Sequence, residues 1–86
     1  MRVIFAGDNP IARTLLSAVL EELGHDAVGF EDGEAAWQAY QAEPAPLVVL
    51  DLKMPGVDGL ELCRRIRAHD AGPGTFILIV TARRAP

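Results

Sequence analysis

Four short apolar runs constrain this chain more than any other feature: VIFA at 3–6, AVGF at 27–30, LVVLDL at 47–52 and FILIV at 76–80. The first, ending at Gly7 and Asp8, reads as a strand buried on both faces, the third as a buried strand closed by Asp51, and the other two as further short strands. The segments between them are long enough to hold a helix and its turns. Strand and helix in alternation predict βαβ units, in which right-handed crossovers place a parallel sheet between two helical layers.

The connecting segments carry the expected punctuation. Asn9 is a good N-cap and Pro10 suits a first helical position, where no donor is needed. Apolar residues then recur at Ile11, Leu15, Leu16, Val19, Leu20 and Leu23, and Gly24 supplies a left-handed stop. Residues 31–43 form a weaker helix with Ala35, Ala36, Ala39 and Tyr40 on one side, ended by Pro44 and Pro46. KMPGVDG reads as a loop, and residues 58–70 as a helix with Leu60, Cys63 and Ile66 or the Arg67 stem facing inward. The turn AGPG precedes the last strand.

Eighty-six residues suit one domain, spanning 1–86. The net charge of -4 and the lack of a Lys/Arg run argue against a nucleic-acid surface. Arg64, Arg65 and Arg67 read as a solvated helix face. Cys63 is the single cysteine, so neither an internal disulfide nor a thiol cluster for zinc is available, which suits a reducing cytoplasm. No apolar run approaches the ~20 residues of a membrane span, and MRVIFAGDNP is too weakly apolar for a signal peptide.

In an open parallel sheet, ligands bind outside the carboxyl ends of the strands. Asp8 follows the first strand, Asp51 closes the third and Thr81 closes the fourth, so three residues distant in sequence are expected to converge there. Two nearby carboxylates repel unless a cation lies between them, and a hard divalent ion such as Mg²⁺ fits oxygen donors. An aspartate is also a competent nucleophile toward phosphorus, and the Thr81 hydroxyl could donate to a phosphoryl oxygen. Plainer roles compete: Asp8 as an acid at a helix N-terminus, Thr81 as a β-former, Met54 and Pro55 as loop-shaping residues. His25 and His69 read as exposed loop or helix-end residues, and Trp37 and Tyr40 as packing aromatics.

GDNP, LDLKMPGVDG and VTA, each at the end of a strand, resemble the receiver domain of two-component response regulators. The likeness runs from residue 2 to about 83, and the D-x-x-M-P-x-x-D/N-G spacing over Asp51, Met54, Pro55, Asp58 and Gly59 is its most specific part. The resemblance implies a flavodoxin-like fold with sheet order 2-1-3-4. It implies that Asp51 accepts a phosphoryl group from a sensor histidine kinase or phosphotransfer protein. Mg²⁺ would be held by Asp8, Asp51 and the Lys53 backbone carbonyl, and Thr81 would be the switch hydroxyl. Such a domain is a phosphoryl acceptor and not a turnover enzyme.

Two departures qualify that expectation. Family members usually carry two adjacent acids after the first strand, and here Gly7 occupies the first position, which predicts weakened Mg²⁺ binding. The family pattern also continues with a fifth strand, a Lys and further helices, whereas this chain ends at Pro86. An incomplete receiver would leave FILIV as an open edge, covered by a homodimer, a domain swap or a longer polypeptide. A competing reading is a degenerate receiver that serves as a protein-protein interaction module without phosphorylation. A flavin site is disfavoured, because the loop after the first strand lacks a hydroxyl- and Gly-rich phosphate wrap.

Overall fold

The chain was analysed as a computed structural model, which describes residues 1–52 and 54–80. The elements are β1 (Arg2–Ala6), α1 (Pro10–Glu22), β2 (Asp26–Phe30), α2 (Gly33–Ala42), β3 (Leu47–Asp51), α3 (Gly59–Ala68), a 3₁₀ turn at Gly72–Gly74 and β4 (Phe76–Val80). All strand pairings are parallel, as the alternation of elements predicts, and the sheet order is β2-β1-β3-β4, as the resemblance implies.

Helix starts follow local chemistry. Asn9 Oδ1 accepts from the N–H groups of Ile11 and Ala12, Asp32 Oδ1 from Ala35 at 2.7 Å and Asp58 Oδ1 from Glu61 at 2.9 Å. Each cap satisfies donors that have no partner within the helix. Gly24 ends the α1 segment with φ +87°, a conformation that a Cβ would strain.

Side chains of β1 and β3 alternate between two layers. Ile4, Ala6, Val48 and Leu50 pack with Ala36 and Tyr40 of α2 and with Leu62 and Ile66 of α3. Val3, Phe5 and Val49 pack with Leu20 of α1 on the other face. The larger core therefore lies under α2 and α3.

Three expectations need correction. In α3 the inward face is Gly59, Leu62 and Ile66, while Leu60 is 50 % exposed. The apolar count missed that face because its first member is a glycine. In α1 only Leu20 is fully buried and Leu16 half-buried, whereas Ile11, Leu15, Val19 and Leu23 are exposed. His69 does sit at a helix end, but it is half-buried: its ring stands edge-on to Tyr40 and Trp37, and its Nδ1 accepts from the Ala71 N–H. His25 is half-buried as well, with Nδ1 3.1 Å from the N-terminal amine.

Tyr40 and Thr75 form a buried polar link between α2 and the start of β4. Their oxygens are 2.6 Å apart, and the Thr75 hydroxyl is within 3.0 Å of the Ala45 carbonyl. With Thr75 donating to Ala45, the Tyr40 hydroxyl donates to Thr75 and no buried side-chain polar atom among the described residues lacks a partner.

Candidate phosphoacceptor site

The carboxyl ends of β1 and β3 are adjacent, because Ala6 pairs with Leu50. Asp51 is the last residue of β3, is half-buried, and pairs with Val80 of β4. Gly7 lies directly against it: a Cβ at position 7 would come 3.3 Å from Asp51 Cβ and 3.6 Å from Asp51 Oδ2. The next residue, Asp8, is exposed on the loop into α1. Neighbouring parallel strands thus bring Asp8 and Asp51, 43 positions apart in sequence, to the same edge of the sheet.

The far side of Asp51 is closed by the start of α3. The Gly59 N–H donates to the Leu52 carbonyl at 3.1 Å, and a Cβ at Gly59 would lie 2.5 Å from the Asp51 carbonyl oxygen. Only a residue without a side chain allows α3 to start this close to the strand tip. Gly33, at the start of α2, is packed as closely on the Val57 carbonyl, so α2 braces the same loop. The loop itself turns at Gly56, with φ +73°, while Met54 is buried in the α2/α3 core. Met54 therefore anchors the loop by packing, in keeping with a shaping role.

Reading the sequence alone missed Arg13. From the second turn of α1 its Nη1 donates to the Gly7 carbonyl at 2.6 Å and is partly buried there. The helical Cβ direction toward the N-terminus is the signal that could have revealed it, since it aims a long side chain back at the loop preceding the helix. Lys53 and Thr81 lie outside the described residues.

The donor set suits a hard cation. Among the described residues no three His, Cys, Asp or Glu side chains gather into a cage. Mg²⁺ is commonly held by one or two carboxylates and completes its shell with water, so Asp8 and Asp51 beside the small Gly7 fit such an ion. Zinc would call for thiols or imidazoles, which do not gather at this edge.

A family model described as "Response regulator receiver domain" matches residues 3–86. The chain belongs to that family.

This receiver is 41 % identical over 84 residues to the sensor protein GacS of Pseudomonas syringae pv. syringae, covering 98 % of the chain and 9 % of that protein. It is 35 % identical over 80 residues to the response regulator receiver protein CpdR of Brucella abortus, covering 93 % of the chain and 65 % of that protein. Among solved structures it superimposes with TM-score 0.89 and 28 % identity on the receiver domain of the sensor histidine kinase PA1611 of Pseudomonas aeruginosa PAO1, covering 95 % of the chain and 67 % of that structure. That neighbour was crystallised with a magnesium ion in its active-site cleft. A response regulator receiver domain from Methanoculleus marisnigri JR1 matches with TM-score 0.86 and 28 % identity over 99 % of the chain and 69 % of that structure. The receiver spans about two thirds of these solved domains and only 9 % of the sensor protein. The four-stranded parallel sheet with three helices is the flavodoxin-like receiver fold.

Proposed function

We propose that this receiver is a phosphoacceptor domain of a two-component system, with Asp51 as the residue that takes the phosphoryl group. The observation that carries the reading is the placement of Asp51 at the tip of β3, with Gly7–Asp8 at the tip of neighbouring β1, in a chain of the receiver family.

An Asp51 carboxylate oxygen attacks phosphorus of a phosphohistidine on a sensor kinase or phosphotransfer protein. The new bond is O–P, the broken bond is N–P, and the electron pair leaves with the imidazole nitrogen, which takes up a proton. The product is an acyl phosphate on this chain, so the domain is consumed as a substrate and does not turn over as an enzyme. Asp8, Asp51 and the Lys53 backbone carbonyl would hold Mg²⁺, whose charge offsets that of the incoming phosphoryl oxygens. Arg13 holds the Gly7 carbonyl and steadies the loop that carries Asp8. Gly59 lets α3 pack on Asp51 and keeps the strand tip in place. Thr81, next after the strand residue paired with Asp51, supplies the switch hydroxyl. The partners this chemistry implies are cytoplasmic, as is the domain.

Incubation with acetyl phosphate and Mg²⁺ followed by intact mass measurement tests the reading. A species heavier by about 80 Da, absent in Asp51→Asn, is expected. No adduct in the parent chain would favour the second reading, an interaction module that is not phosphorylated, which Gly7 in place of an acid supports.

A further inference from the structure

Arg13 stands where its charge is unwelcome. It lies near the start of α1, a helix with no acid in its first turn, and a cation at that end opposes the helix dipole. Its guanidinium ends on the residue before Asp8, so it also repels any divalent cation held by Asp8 and Asp51. Charge therefore does not account for the placement.

Its hydrogen bonds do. Arg13 Nη1 donates to the Gly7 carbonyl at 2.6 Å, and the Arg13 backbone N–H donates to the Asn9 carbonyl at 3.0 Å. One residue thus grips the carbonyls on both sides of Asp8. The Gly7 carbonyl shares a rigid peptide plane with the Asp8 nitrogen and Cα, so holding its oxygen orients the backbone from which the Asp8 side chain leaves. Gly7 has reason to be held. Lacking a Cβ, it has wider backbone freedom than any other residue type, and its N–H is tied in turn to the Phe30 carbonyl of β2 at 3.0 Å. With glycine instead of an acid at position 7, Asp8 and Asp51 are the carboxylates at this edge, and Mg²⁺ demands near-ideal octahedral geometry from the few it uses.

We infer that Arg13 is a positioning residue for the cation site: by gripping the carbonyls that flank Asp8 it presets that ligand, and so raises Mg²⁺ affinity through geometry and against its own charge. The inference rests on the reading of Asp8 as a ligand of that ion. It gives the missing acid at position 7 a consequence, since the glycine there frees the backbone that Arg13 then fixes.

Calorimetric titration of Mg²⁺ into the metal-free 86-residue chain tests it. Arg13→Met keeps the apolar stem and removes the guanidinium, and should weaken binding by about tenfold with unchanged circular dichroism. Loss of the charge alone would tighten binding, so the sign separates positioning from electrostatics. Tyr40→Phe loosens a buried hydrogen bond in another layer and should leave the affinity unchanged, which separates positioning from a general loss of stability. A second readout needs no metal. The ¹⁵N order parameter of the Asp8 amide should fall from about 0.85 toward about 0.6 in Arg13→Met and hold in Tyr40→Phe. In a Gly7→Ala background, compared with its own parent, Arg13→Met should cost less than about threefold, because alanine already restricts the backbone. Equal or tighter Mg²⁺ binding by Arg13→Met, an Asp8 amide as ordered as in the parent, or an undiminished loss in the alanine background overturns the inference and leaves the phosphoacceptor reading standing. A parent chain that takes up no Mg²⁺ overturns it together with the cation site on which it rests.

Discussion

Replacing Gly59 by alanine tests the claim that α3 is seated on the tip of β3. The new Cβ would lie 2.5 Å from the Asp51 carbonyl oxygen and 3.1 Å from Leu52 Cα, both backbone atoms that no rotamer change can move. Overpacking of this kind costs about 1–3 kcal/mol. Alanine gains up to ~1 kcal/mol over glycine in a helix interior, and less at a first helical residue such as position 59, so the net effect is a loss of about 1–2 kcal/mol. For a domain of this size that lowers Tm by roughly 5–15 °C. Gly74→Ala is the matched control: nothing lies within 4 Å of its Cβ and its φ is not positive, so it should gain about 0.4–1 kcal/mol. Urea melts followed by the half-buried Trp37 measure both variants. The displaced atom belongs to Asp51, so labelling by acetyl phosphate should also slow by about tenfold or more in Gly59→Ala and stay unchanged in Gly74→Ala. A Gly59→Ala protein as stable and as quickly labelled as the parent would refute the close seating of α3.

Gly7→Asp adds a carboxylate against Asp51 and should tighten Mg²⁺ binding by about tenfold, while lowering metal-free stability by ~1 kcal/mol through like-charge repulsion. Fluorescence titration of both proteins checks this, and equal affinities would count against the site. Tyr40→Phe should cost ~1 kcal/mol and Thr75→Val about 2 kcal/mol, the latter because it strands a buried phenol. The double variant should fall short of their sum by about 1 kcal/mol in denaturant melts; strict additivity would mean that the two hydroxyls do not communicate. Asn9→Ala removes the acceptor for two backbone N–H groups and should lower stability by ~1 kcal/mol, with Asn9→Asp largely restoring it.

The strands and their parallel pairing were legible in the chain itself, and the resemblance supplied their order. Short apolar runs bounded by turn residues read as strands, although β4 leaves Phe76, Leu78 and Val80 exposed, and caps such as Asn9 and Asp58 act within four residues of their targets, so local chemistry suffices to read them. The motif around Asp51 announced the family for the same reason, since its spacing is a short-range property of one loop. Only the tertiary structure decided which half of α1 is covered. Ile11, Leu15, Val19 and Leu23 are as apolar as Leu16 and Leu20, and which of them meets the sheet depends on how the helix is rolled over β1 and β3. It likewise chose Leu62 over Leu60, because Gly59 allows the α3 backbone to approach Asp51 and so sets which face of that helix turns inward. Arg13 reaching the Gly7 carbonyl belongs to the same class: a hydrogen bond between elements exists only once packing has fixed their distance, and no pattern along the chain encodes that distance by itself.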